Sequence, residues 1–280
     1  MNIGIIGNGF VGKATKILEC KDIEIKAYDI NPDLCYPIGL KLIDMKNCEI
    51  IFISVPTPMD KDGSVYLKII ESVLNDLKEI DFKNFIVLRS TVPPGTSDKL
   101  NCYFMPEFLT EKNFVNDFIN NPLWIYGLLN KPSDNLFMKK ITNMVQLAYK
   151  NNRINSNNIE FMLNKEAEMV KYFRNTFLSV KVSYCNEIYE YCQKKGINYE
   201  NIVKVAASDK RIGLSHTQVP GPDGKFGFGG TCFPKDTNGL LYDMKKQNMK
   251  SYLLDAAIKR NEEKDRIEKD WNNNKGRAVI

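Results

Sequence analysis

Residues 3–12 read IGIIGNGFVG, and the fold follows from how these ten residues are understood. A short apolar run ends at Gly7, and Gly9 and Gly12 follow in the spacing GxGxxG. In such a turn the first glycine permits the tight bend and the second lets a pyrophosphate approach the backbone. The third lets the following helix pack closely on the strand, with its N-terminus toward the phosphates. Phe10 and Val11, within the same turn, are expected to bind the cofactor with them. The spacing alone is weak evidence, and its context strengthens it. The turn leaves a strand-like run and enters a helical pattern over 11–20, and Asp29 ends the next strand-like run about 20 residues on. A carboxylate there suits a ribose 2′-hydroxyl and repels a 2′-phosphate, so the expected cofactor is NAD rather than NADP.

Working outward, short apolar runs at 2–6, 24–29, 50–55, 85–89, 102–105 and about 124–127 alternate with helical patterns at 65–78 and 135–149. That alternation signals βαβ units and a parallel sheet. Only an abbreviated helix fits 31–47. The polar stretch NNRINSNN (151–158) reads as a boundary. From 164 to 195 there is no Gly or Pro, against a mean helix of about 11–12 residues. Its apolar residues Val170, Phe173, Phe177, Val180, Tyr184, Ile188 and Tyr191 recur at steps of three and four. Further helices are expected at 200–207, 235–247 and 251–269. The expected architecture is α/β: a Rossmann-like parallel-sheet domain over 1–150, then an all-helical central domain over 159–270 with one long helix. Residues 271–280 form a tail. The long helix needs a second packing surface, and a homodimer through 164–195 supplies one.

Composition narrows the function. The chain has 280 residues, 43% of them hydrophobic and 26% charged, with a net charge of +5. That length favours two domains. No run approaches the ~18 apolar residues of a membrane span, and no signal-peptide pattern opens the chain. A cytoplasmic location is therefore expected, where thiols stay reduced. The seven cysteines include no CxxC pair, which speaks against a disulfide framework or a metal site. Basic residues are scattered, without the stripe that nucleic acid requires. There is one histidine, His216, so proton transfer elsewhere falls to Lys, Asp, Glu or water.

Two loops end strands: SVPTP (54–58, with Pro56 and Thr57) and RSTVPPGT (89–96, with Thr91). Ligands of open α/β sheets sit at such strand ends, although prolines and threonines also end strands by turn chemistry alone. Residues 225–236 read KFGFGGTCFPKD. Pro234 fits the first turn of a helix, which puts Cys232 at its N-terminus, where a thiolate is stabilised. The glycines would let a bulky ligand approach. On the long helix, Lys171 and Asn175 share a face offset from the apolar stripe. In MPEFLTE (105–111), Glu107 and Glu111 are also four apart, and helix N-terminal acids would account for both.

Taken in order, GNGFVG, SVPTP, RSTVPPGT, MPEFLTE, the Lys171–Asn175 helix and FGFGGTCFPKD resemble the UDP-glucose/GDP-mannose dehydrogenase family over nearly the whole chain. The last motif is the most specific. The resemblance implies a four-electron oxidation of a nucleotide sugar's 6-hydroxymethyl group, UDP-glucose to UDP-glucuronate before GDP-mannose or UDP-N-acetylmannosamine. It implies Cys232 as the nucleophile that holds the aldehyde as a thiohemiacetal and then a thioester. Lys171 would serve the first alcohol oxidation and, with Asn175, steady oxyanions against the substrate, and Asp236 would orient water and the lysine. Glu107, with Thr91, would serve thioester hydrolysis. Phe108, Leu109, Glu111, Phe226, Phe228, Gly229 and Gly230 would lie against the substrate, and no metal is implied. Family members usually continue into a third, nucleotide-binding domain about where GRAVI stands here, and the segment between Asp29 and Ile50 is short for the family. A non-catalytic NAD-binding relative is the alternative.

Overall fold

The computed structural model describes all residues, 1–280. Seven strands form one sheet: β1 (Asn2–Ile6), β2 (Glu24–Tyr28), β3 (Ile50–Ile53), β4 (Phe85–Leu88), β5 (Tyr103–Phe104), β6 (Trp124–Leu128) and β7 (Ile159–Leu163), in the order β2-β1-β3-β4-β5-β6-β7. All neighbours are parallel except β5 and β6. The helices are α1 (Phe10–Lys16), α2 (Lys68–Glu79), α3 (Thr96–Lys99), α4 (Phe114–Ile119), α5 (Asp134–Lys150), α6 (Asn164–Lys195), α7 (Tyr199–Ala206), α8 (Phe233–Lys246) and α9 (Tyr252–Arg260). The expected α/β class, with a long helix and a helical second part, is what the chain adopts.

Strands β1 and β3 read as near-continuous aliphatic runs because both faces of a parallel sheet are covered. Ile3, Ile5, Ile50 and Phe52 enter one core with Phe137 and Ile141 of α5, while Ile51, Ile53, Ile70 and Leu74 enter the other with α2.

The chain forms two compact units, 1–57 with 67–171 and 58–66 with 172–280. The polar stretch 151–158 lies inside the first unit. Just after it, IEFML, read as part of the helical half, pairs with β6 over five residues as β7. Five residues ahead of a helix carry too little periodicity to announce a strand. The link 31–47 holds two 3₁₀ turns, 32–34 and 42–45. The expected helix at 251–269 ends at Arg260, passes through a π-helical turn over 261–265 and stops. The tail folds back: Trp271 and Ala278 are buried, and Val279 bridges to Met59 within the second unit.

Helix α6 inverts the ordinary pattern. Its buried residues include Glu168, Lys171, Asn175, Thr176, Ser179, Ser183 and Asn186, while Phe173, Phe177, Tyr184 and Tyr191 are 64, 59, 63 and 55% exposed. The buried face is the polar one, which marks it for chemistry rather than core packing.

Candidate active site

In the first unit, Gly7 has φ +88°, and a Cβ there would meet the Ser54 carbonyl at 2.8 Å. A Cβ on Gly12 would strike the Gly7 carbonyl, whereas at Gly9 nothing lies within 4 Å. The outer two glycines thus serve the turn itself, and the middle one leaves room. Phe10 meets the Phe114 ring at 6.5 Å, and the Val11 carbonyl accepts from Arg89. The Asp29 carboxylate accepts from the Asn8 N–H at 2.6 Å and the Asn31 N–H at 2.9 Å, which fixes it at the end of β2. Two buried polar atoms of these loops, Asn8 Oδ1 and Ser54 Oγ, have no protein partner. A bare turn, a fixed acid and orphaned polar atoms fit a dinucleotide.

The next two strand-end loops are tied together. The Thr57 hydroxyl donates to the Thr91 carbonyl at 2.9 Å and the Ser90 hydroxyl to the Val55 carbonyl at 2.5 Å. Thr57 is buried and Pro56 exposed. From α6, Glu168 reaches the same loop: its carboxylate accepts from the N–H groups of Gly95 (2.5 Å) and Ser97 (2.8 Å). Burial pushes this carboxyl up to about 7, against the pull of those hydrogen bonds. One turn on, Lys171 Nζ donates to the Glu107 carbonyl at 2.6 Å and pairs with its Oε1 at 3.3 Å, both side chains being buried. Lys171 also lies 5.7 Å from the Phe108 ring centre, and the Leu109 N–H donates to Glu107 Oε1. The fully buried Arg89 is pushed down to about 10 by desolvation, with Glu107 opposing the fall.

Glu107 and Glu111 share no helix face. Residues 107–110 are extended loop and α4 begins only at Phe114, so Glu107 turns inward while Glu111 is exposed. The bland reading as helix N-terminal acids fails for that reason, since Pro106 and the Lys171 contact hold the segment extended.

In the second unit, Cys232 is the N-cap of α8 and Pro234 sits in its first turn, as the sequence implied. No cysteine is in a disulfide. Asp236 is 1% exposed and shared: Asn175 Nδ2 donates to Oδ2 and Lys235 Nζ to Oδ1, each at 2.6 Å. Lys235 is thus a buried cation three residues after Cys232. The sequence reading gave Lys235 no role, and no period marks it, since 234–237 are buried in succession. His216 meets the Phe233 ring at 5.6 Å, and burial holds its imidazole below the usual range.

The glycines of 227–230 divide as those of 7–12 do. A Cβ at Gly227 (φ +66°) would strike Asn261, and one at Gly229 would lie 2.5–2.6 Å from the Arg266 guanidinium; at Gly230 (φ +75°) there is open space. Two of the three glycines expected to admit a ligand are therefore required by the protein's own side chains. Phe226 packs on Tyr189 at 5.7 Å and Phe228 on Phe233 at 6.5 Å. Asn261 and Arg266 carry no local signal in the sequence, because their partners lie some 30–40 positions earlier.

Residues 42–146 match the NAD-binding domain of the UDP-glucose/GDP-mannose dehydrogenase family, and residues 165–263 match its central domain. A UDP-glucose 6-dehydrogenase of Campylobacter jejuni is 31% identical, the match covering 94% of this chain and 72% of that protein. Another, of Rickettsia felis, is 29% identical over 94% of this chain and 65% of its own length, so the chain spans about two thirds of such relatives. A solved UDP-glucose dehydrogenase of Pyrobaculum islandicum shares the fold, with a TM-score of 0.79 at 23% identity over 94% of this chain and 68% of that one. The cofactor of this domain is NAD.

Proposed function

The chain belongs to the UDP-glucose/GDP-mannose dehydrogenase family, and on that premise we propose that it oxidises the 6-hydroxymethyl group of a nucleotide sugar to a carboxylate, UDP-glucose being the first candidate. The observation that carries the reading is the buried pair Lys171–Glu107, an acid and a base held against each other in a chain with a single histidine. NAD, held at Gly7, Gly9, Gly12 and Asp29, would supply the hydride acceptor, once for each two-electron oxidation. In the first oxidation Lys171, its own proton passed to the paired Glu107 carboxylate, takes the hydroxyl proton as a neutral amine, and Asn175 steadies the oxygen as its charge develops. The Cys232 thiolate then adds to the aldehyde carbon, forming a C–S bond that retains the half-oxidised sugar. Loss of the second hydride leaves a thioester. Water adds to it, the C–S bond breaks, and the thiolate and carboxylate separate. Asp236, fixed by Asn175 and Lys235, would orient that water; by the family resemblance Thr91 would help to hold it, and Glu107, once it has released the first proton to solvent, would receive its proton. Phe226, Phe228 and Gly230 bed the sugar diphosphate. On the second unit, the exposed aromatics Phe173, Phe177, Tyr184 and Tyr191 recur at steps of four and seven, the spacing of a helix–helix seam. A second copy covers it. The protein works in the cytoplasm, where the thiol stays reduced.

A panel of nucleotide sugars incubated with NAD tests this directly: two NADH per sugar are expected with at least one of them. One NADH per substrate would mean a two-electron dehydrogenase, and NAD binding without turnover of any sugar would mean a non-catalytic relative. Cys232→Ser should lower acid formation by about 10³-fold or more; full acid yield would remove the covalent step.

A further inference from the structure

We propose that Asn261 is a positioning residue for the loop 226–230 and, through it, for the Cys232 thiol. The loop lacks regular structure, yet the Phe228 peptide is buried and needs both a donor and an acceptor. Asn261 supplies both: its Oδ1 accepts from the Phe228 N–H at 2.7 Å and its Nδ2 donates to the Phe228 carbonyl at 2.9 Å. A carboxamide carries a donor and an acceptor on separate atoms, so it can serve both groups of one peptide at once. The amide therefore does for this loop what a neighbouring strand does in a sheet. Two further side chains complete the clamp. Asn186 accepts from the Gly227 N–H at 3.1 Å, and Arg266 donates to the Phe226 carbonyl at 3.4 Å while its guanidinium is held by Asp223 and Asp270.

The clamp connects to chemistry through two rings. The Phe228 ring meets that of Phe233 edge-on, and Phe233 is the first residue of α8, next to Cys232. Moving the Phe228 peptide moves the first turn of α8, whose N–H groups are what a thiolate at its N-cap depends on. The glycine at 227 has its explanation here as well, since any side chain there would push Asn261 off the Phe228 peptide.

This inference rests on the reading of Cys232 as the nucleophile, but its test needs no sugar. The rate of iodoacetamide alkylation of Cys232 in the full chain, read by mass spectrometry of its peptide, is followed against pH. In Asn261→Ala the thiol midpoint should rise by about half a unit or more, as the first turn of α8 loosens. The limiting rate should rise about threefold, as access opens. Asn261→Asp keeps the acceptor and loses the donor, and should fall between. Gly227→Ala should reproduce the effect, and adding it to Asn261→Ala should change the profile by clearly less than its effect alone, because both break the Asn261 contact while the methyl also meets Asp265 at 2.9 Å. A folded Asn261→Ala or Asn261→Asp protein whose alkylation profile superimposes on the wild type overturns the proposal, as does full additivity with Gly227→Ala. If Asn261→Ala does not fold, the aspartate variant decides. A protein that oxidises no nucleotide sugar yet shows these shifts would overturn the proposed function and leave the clamp standing.

Discussion

In the turn 7–12, a side chain at Gly7 or Gly12 would run into backbone, the carbonyls of Ser54 and of Gly7 itself. In the loop 227–230, a side chain at Gly227 or Gly229 would run into side chains, those of Asn261 and Arg266. Each loop keeps one glycine facing open space, Gly9 in the first and Gly230 in the second. The first loop is closed by elements that every βαβ unit has, and it could be placed anywhere such a unit occurs. The second is closed by particular residues from distant parts of the chain, so its shape depends on those side chains. A backbone clash has no second-site remedy, whereas a side-chain clash has one.

The largest effect should come from Gly12→Ala. The new methyl has no room, because the carbonyl it meets is fixed by β1 and by the turn. Overpacking of this kind costs about 1–3 kcal/mol, and NAD binding should fall beyond detection with it. Gly9→Ala adds a methyl in open space on extended backbone, so thermal stability should stay within about 0.5 kcal/mol while NAD affinity drops about tenfold. Calorimetric titration with NAD, alongside thermal unfolding, separates the two variants. Unchanged NAD affinity in Gly9→Ala would mean that the open glycine is not where the pyrophosphate lies.

Gly229→Ala should cost somewhat less, about 1–2 kcal/mol, because a guanidinium can shift where a carbonyl cannot. Its distinguishing property is repair. In an Arg266→Met background, which removes the guanidinium, the added cost of Gly229→Ala should shrink by about 1 kcal/mol in a double-mutant cycle. Urea unfolding of the four proteins measures it. Additive costs would mean that the loop closes on backbone after all, as the first one does.

This difference also explains what could be read from the residues alone. GxGxxG, the aliphatic strands and the thirty-two residues of α6 follow from spacings within a few positions, and each landed within a few residues of its place. Cys232 at the head of α8 followed from Pro234 by local rules as well. The Asn261 bridge to Phe228, the Glu168 grip on Gly95 and Ser97, and the Asn175 bond to Asp236 join residues 33 to 73 positions apart. No local period encodes such pairs. The stripe Phe173, Phe177, Tyr184 and Tyr191 was legible as a stripe, but its exposure was not, because periodicity separates two faces of a helix without saying which one is buried.

A third loop tests whether side-chain clamping is confined to the second unit. Glu168 holds 95–97 with both oxygens of its carboxyl group, and Glu168→Gln can accept only one of the two N–H groups. The other is left facing an amide donor, at a cost of about 1 kcal/mol or more. The pH dependence identifies the group. Its carboxyl is raised in the folded protein to about 7 from an ordinary 4.5, so the folded state binds the extra proton between those values. Its contribution to stability is therefore greatest below about 4.5 and is lost as pH rises through about 7. The stability of the wild type minus that of Glu168→Gln should fall across this window and be flat above it. A flat difference throughout would mean that the carboxyl titrates normally and that the loop is held by its backbone.

The smallest effect on function should be that of Gly230→Ala. With φ at +75° and nothing within 4 Å of the new methyl, only backbone strain remains, about 1 kcal/mol. Asn261 and Arg266 are untouched, so the alkylation profile of Cys232 should keep its wild-type midpoint. If the open side of Gly230 is where the sugar diphosphate lies, KM for the nucleotide sugar should rise several-fold with kcat nearly unchanged, because the methyl crowds ground state and transition state alike. The parallel with Gly9 then holds, since in each loop the glycine without an internal neighbour is the one that meets a ligand. An unchanged KM breaks the parallel and leaves 227–230 as a loop whose glycines serve the fold alone.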